Sequence, residues 1–201
     1  MTEHKGLPVL SFANTRSWDA WLDKNEESSP GLWLKFAKKN AGAKSLDKAE
    51  AIEIALAHGW IDGQLASYDE SFWLVRFTRR GRNSKWSQAN RATATKLIER
   101  KRMRPSGLRE VERAKTDGRW ASAYASQSKA TAPDEFVAAL DAKPQAQAFF
   151  ATLKAAERYA FVYRINTAKT AEKRAMLIEK FVGMLARGET IHGAKKLVKP
   201  A

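Results

Sequence analysis

The side chains that could carry acid–base or metal chemistry in this 201-residue chain are few and scattered. His4, His58 and His192 each stand alone, without a second ligand at helical spacing, so no metal site is indicated. Cysteine is absent, which removes disulfides, thiolate chemistry and cysteine-zinc sites. No Gly-Lys-Ser/Thr phosphate loop, no GxGxxG and no Gly-x-Ser-x-Gly occurs, so neither a cofactor nor a nucleophile elbow is implied. His4 and His192 fall in expected tails. A Ser/His pair would therefore have to use His58, which precedes Gly59 at the close of a helical pattern. Its structural reading is a His at a helix C-terminus, where the dipole favours a cation. No catalytic residue is assigned. Asp62 and Asp69 are the candidates for a general base, but Asp62 reads first as part of an Asp-Gly turn, Ile61-Asp62-Gly63-Gln64.

A second group points to anion binding. Arg80 follows a strand pattern, and Ser84 is placed to cap the helix that comes next. Ser87 and Asn90 are three residues apart and share a face of that helix, and Trp86 and Asn90 are four apart. Arg80, Ser84, Ser87 and Asn90 could converge on a phosphate or carboxylate with Trp86 as a stacking wall. The alternative is structural: Trp86 packs in the core, Ser84 only caps, and Asn90 bonds to backbone.

The charge is uneven. Residues 1–75 sum to −3, residues 76–104 to +10 and residues 105–201 to +7, giving +14 in all. Such a block favours an anionic partner, either nucleic acid or an acidic protein. Lys96, Arg100, Lys101 and Arg104 are the nucleic-acid contact candidates because they are the charges expected to stay exposed. No apolar run is long enough to cross a bilayer. Met1 to Phe12 lacks the apolar stretch of a secretory signal, so the expected compartment is the cytoplasm.

These residues need elements to hold them. Leu7–Phe12 and Leu32–Lys38 read as strands, and Trp73, Val75 and Phe77 alternate with their neighbours as a third. Asn14 or Thr15 caps a helix bearing Trp18 and Leu22, Ser45 caps another, and Gly59 stops it. After Gly81 the period becomes helical, with Ser84 and Ser106 as caps and Pro133 and Pro144 opening helices. The expected fold is α+β. A small, mostly antiparallel sheet with two helices fills residues 1–80, which should hold all the strands. A helical domain over residues 81–188 packs against it, and residues 189–201 form a basic mobile tail.

Several motifs in series run from Gly59 to Trp120. They are Gly59-Trp60-Ile61-Asp62-Gly63-Gln64, Tyr68-Asp69, Phe77-Thr78-Arg79-Arg80, Ser84-Lys85-Trp86-Ser87-x-x-Asn90, Met103-Arg104-Pro105-Ser106-Gly107-Leu108 and Ala114-Lys115-x-Asp117-Gly118-Arg119-Trp120. With Trp18-x-x-Trp21-Leu22, Gly31-Leu32-Trp33-Leu34 and Ala168-Lys169 … Lys173-Arg174, the chain resembles the bacterial YdeI/OmpD-associated family, also called bacteriocin-protection proteins. It departs from that family at Arg79, where Thr-Pro-Arg is common, so the loop loses a φ-fixing Pro and gains a charge. The resemblance implies stress and bacteriocin-protection roles and association with an outer-membrane porin, and attaches no reaction. The expected function is thus a non-enzymatic protein that binds an anionic partner through its basic segment. The alternatives are an enzyme acting on a small anionic substrate between the two halves, and a protein-interaction module in envelope stress.

Overall fold

A computed structural model describes residues 2–39, 41–43, 45–191 and 193–194. The chain divides into two compact units, Met1–Ala121 and Ser122–Ala201.

The first unit is α+β. Its strands are β1 (Glu3–His4), β2 (Leu7–Leu10), β3 (Leu32–Ala37), β4 (Trp60–Ser67) and β5 (Phe72–Arg79), and its helices are α1 (Thr15–Asn25), α2 (Lys48–Ala57), α3 (Gln88–Glu99) and α4 (Pro105–Thr116). The sheet order is β1-β2-β3-β5-β4. Only β2 and β3 run parallel, because α1 provides the crossover between them. Leu32, Leu34 and Phe36 of β3 lie opposite Phe77, Val75 and Trp73 of β5. Alternation puts this set on one face, where Trp18 and Leu22 of α1 and Ala51 and Ala55 of α2 cover it. Trp18 is fully buried and its indole donates to the Ala51 carbonyl at 3.1 Å, tying α1 to α2. Burying such a ring stabilises the fold by roughly 2–3 kcal/mol. Leu7, Trp33 and Leu74 form a smaller cluster on the other face.

The second unit contains α5 (Asp134–Asp141), α6 (Pro144–Thr152), α7 (Ala155–Asn166) and α8 (Ala171–Ala186) around Phe136, Phe149, Phe161 and Phe181. Pro144 occupies the first turn of its helix, while Pro133 is the N-cap of α5. A short hairpin, β6 (Glu189–Thr190) with β7 (Gly193–Ala194), follows α8.

Several expectations change. His4 is not in a tail: it lies in β1, with its ring edge-on to Trp33 at 4.7 Å. Strands are not confined to residues 1–80, because the start of the supposed tail forms β6 and β7. His192 and residues 195–201 lie outside the described residues. The compact boundary falls at Ala121 rather than after residue 80, since α3 and α4 pack on α2. Asp62-Gly63 is not a hairpin turn. Asp62 sits within β4 opposite Phe77, beside a bulge before Leu65. The β4–β5 turn is made by Asp69, whose Oδ1 accepts from the Ser71 and Phe72 amides at 2.8 and 2.7 Å. Among the described residues no helix is long and apolar enough to cross a membrane.

Candidate functional site

A cluster of ionisable side chains in the first unit lies where α1, the end of α2 and the start of α4 meet. Asp19 and Asp23 are one turn apart on α1, and Glu26, its C-cap, continues the same row at i, i+4, i+7. His58 is the C-cap of α2. The backbone then breaks at Gly59, whose φ of +72° suits glycine. Arg104 caps α4 ahead of Pro105, and its amide donates to the Ala57 carbonyl at 3.0 Å. Gly107 allows this close docking, because a Cβ there would stand 2.2 Å from the Ala57 oxygen.

The side chains close a ring. His58, whose side chain is fully buried, has Nδ1 2.5 Å from Glu26 Oε2 and Nε2 2.8 Å from Asp19 Oδ1. Arg104 Nη2 donates to Asp19 Oδ2 at 2.8 Å and to Asp23 Oδ2 at 3.4 Å. Ser106 Oγ donates to Glu26 Oε2 at 3.0 Å, and the Trp60 indole donates to the Glu26 carbonyl at 3.3 Å. Both ring nitrogens of His58 thus face carboxylate oxygens. Burial raises the Asp19 pKa, but the hydrogen bonds from His58 and Arg104 and the charge of Arg104 outweigh it, so the carboxyl lies below its ordinary value.

One side of this ring opens on a cleft of about 560 Å³. Arg16, Lys101, Arg102 and Arg104 line it with the carboxylates of Asp19 and Glu53, and Ile54, Ala57, Leu97 and Met103 supply apolar wall. Arg102 pairs with Glu53 at 3.1 Å. Lys101 stands at the turn that ends α3, with φ of +54°. The Arg102 amide donates to the Leu97 carbonyl at 2.8 Å and the Lys101 amide to that of Ile98 at 2.9 Å. This is a Schellman turn with lysine where glycine is the usual occupant. Among the described residues no group of three or more His, Cys, Asp or Glu side chains is arranged to hold a metal ion.

The residues singled out from sequence are divided among other tasks. Arg80 is 4% and Trp86 2% exposed. The Arg80 guanidinium lies 3.7 Å from the centre of the Trp86 ring and donates to the Lys85 carbonyl at 3.3 Å, and Trp86 packs edge-on against Trp120. Ser84 does not cap α3. Its Oγ accepts from the Gly81 amide at 3.0 Å within a tight turn, and Ser87 caps α3 by accepting from the Asn90 amide at 3.0 Å. Asn90 is half-buried in the first turn of that helix. Asp62 and Asp69 are sheet and turn residues, and neither is among the carboxylates paired with His58. Of the nucleic-acid candidates, Lys96, Arg100 and Lys101 are exposed. Arg104 is not a spare charge, because Asp19 and Asp23 hold it.

Asp19, Asp23 and Glu26 are not among the residues singled out from sequence, and Ser106 is expected there only as a cap. The signal for the acids is their shared helical row; Ser106 does not cap α4, because Pro105 opens the helix and leaves its hydroxyl for Glu26.

Residues 10–110, which include the whole ring and cleft, match the family model Domain of unknown function (DUF8412). Residues 129–188, spanning α5 to α8, match the model Bacteriocin-protection, YdeI or OmpD-Associated, and they contain the Ala168-Lys169 … Lys173-Arg174 motif. No curated protein and no solved structure matches the chain. Residues 129–188 are thus similar to the bacteriocin-protection, YdeI or OmpD-associated family, and the chain belongs to the family of the DUF8412 domain, whose model covers half its length.

Proposed function

We propose that the first unit is an anion-binding module, and that the protein serves a bacteriocin-protection or envelope-associated role by capturing an anionic partner. One observation carries this reading: Arg16, Lys101, Arg102 and Arg104, from two separate segments, gather around one open cleft. Lys96 and Arg100, exposed in the last turn of α3 and at its C-cap, add positive charge close in sequence to Lys101 and Arg102. Much of the remaining basic segment serves the fold instead. Arg79 donates to the Glu27 carbonyl, Arg91 to that of Trp120, and Arg80 stacks on Trp86.

The burial of His58 favours binding over catalysis. Its ring is enclosed between the Asp19 and Glu26 carboxylates and exposes no surface to a ligand. Its task is to orient Asp19, and through it Arg104.

The reading is tested by titrating the protein at low salt with inorganic pyrophosphate and, separately, with a random duplex, followed by calorimetry and fluorescence anisotropy. We expect saturable binding of at least one, weakening steeply as salt rises. No binding of either at low salt, where electrostatic attraction is strongest, overturns it.

A further inference from the structure

We infer that the cleft beside the His58 ring is a site for a small phosphate monoester with a compact apolar body; this rests on the anion-binding reading above and narrows it. Three observations point to that ligand class. The first is the state of Arg104. Both aspartates bond the same nitrogen, Nη2, so the N–H groups on Nε and Nη1 have no acceptor among the described residues. Asp19, anchored from behind by His58, holds the guanidinium by its Nη2 end. The contact to Asp23 is the long one, at 3.4 Å, and it is the one a ligand oxygen displaces in closing a two-bond fork with the arginine.

The second observation is charge. Around the cleft Arg102 is paired with Glu53 and Arg104 with Asp19. The lining itself, Arg16, Lys101, Arg102 and Arg104 against Asp19 and Glu53, carries two more positive than negative charges, and Asp23 beside Arg104 opposes one of them, so the cleft stays net positive toward the near-dianion that a phosphate monoester is at neutral pH. The third is shape. Ile54, Leu97 and Met103 give the cleft an apolar wall, and about 560 Å³ is ample for one ring beside a phosphate but is the scale of a small-molecule pocket. Lys101 adds a sign of function over stability. It holds a left-handed conformation that costs a side-chain-bearing residue and that glycine would adopt freely.

The probe is phenyl phosphate, titrated into the full chain by calorimetry, with inorganic phosphate, phthalate, benzyl alcohol and a random duplex as comparisons. Phenyl phosphate should bind about tenfold more tightly than inorganic phosphate through the buried ring, and benzyl alcohol should not bind. Arg104→Lys keeps the charge but loses the fork and should weaken phenyl phosphate about tenfold. Asp23→Asn removes the competing carboxylate and should tighten it about threefold, a gain that misfolding cannot imitate. Lys101→Gly should weaken binding while the melting temperature rises. Phthalate binding as tightly as phenyl phosphate overturns the phosphate assignment, and an unchanged or weaker affinity in Asp23→Asn overturns the site. If the small anions fail while the duplex binds with a steep salt dependence, this inference falls and the anion-binding reading stands. If nothing binds, both fall.

Discussion

Arg80 and Arg104 come from the same basic stretch and meet opposite fates. Arg80 follows the last strand of the sheet and is buried at 4% exposure, its guanidinium flat on Trp86 and its backbone amide on the Gly59 carbonyl. Arg104 begins a helix, keeps 43% of its side chain exposed and is held at one nitrogen by two aspartates on the rim of a cleft. The first arginine is conspicuous in sequence because Trp, Ser and Asn surround it. Those neighbours are also what bury it. The second has no aromatic neighbours, and its partners lie more than 80 residues away. A cation embedded in aromatic sequence is thus apt to become scaffold, and one whose partners are remote carboxylates is apt to be positioned for use.

The comparison breaks most readily on stability. Arg80→Ala opens a hole beside Trp86 and removes the stacked cation, and should cost about 3 kcal/mol. Arg104→Ala, at a half-exposed ion pair, should cost about 1 kcal/mol or less. Chemical denaturation of both variants measures this, and equal losses would abolish the distinction. His58→Leu sharpens it from the other side. The substitution leaves the Glu26 and Asp19 carboxylates facing an apolar side chain, and a loss of roughly 2 kcal/mol should follow. Anion affinity should fall with it, because Asp19 is no longer held, whereas Arg80→Lys should leave affinity unchanged.

The smallest expected effect is on pH. Asp19 has a lowered pKa in the folded chain, so the unfolded chain binds its proton more readily. Its contribution to stability is complete above the unfolded value near 3.8 and is lost as pH falls through the lower folded value. Melting temperature measured downward from pH 5 should therefore decline less steeply in Asp19→Asn than in the parent protein. Parallel curves would show that the pairing with His58 and Arg104 adds nothing to the folded state.

What was legible in the sequence followed from local pattern. The alternation of Trp73, Val75 and Phe77 marks β5, the Trp18–Leu22 spacing marks α1, and Asn14 caps it by accepting from the Ser17 amide at 2.9 Å. Two-residue strands such as β1 and β6 are too short to show a period, so they were missed. Caps are displaced where two capping residues compete. Ser87 rather than Ser84 opens α3, and Asp47 rather than Ser45 opens α2, because Ser45 is drawn to the Ala37 amide at 2.9 Å. The ring around His58 was not legible as a site because its members are joined only by tertiary packing. His58 was read from its helix position alone, which is correct for its backbone and silent about its ring.

Pro105 separates Arg104 from Ser106 by a single residue, and these two side chains reach Asp19 and Glu26, the two carboxylates that flank His58. The circuit therefore closes between chain segments 32 to 85 residues apart, with no local contact to seed it. In kinetic terms such contacts carry a high loop-closure cost and form after the strands and helices that frame them. Competence to orient Arg104 would then emerge at the end of folding, so a chain that has collapsed but not yet docked α4 on α2 carries the same charges without the site.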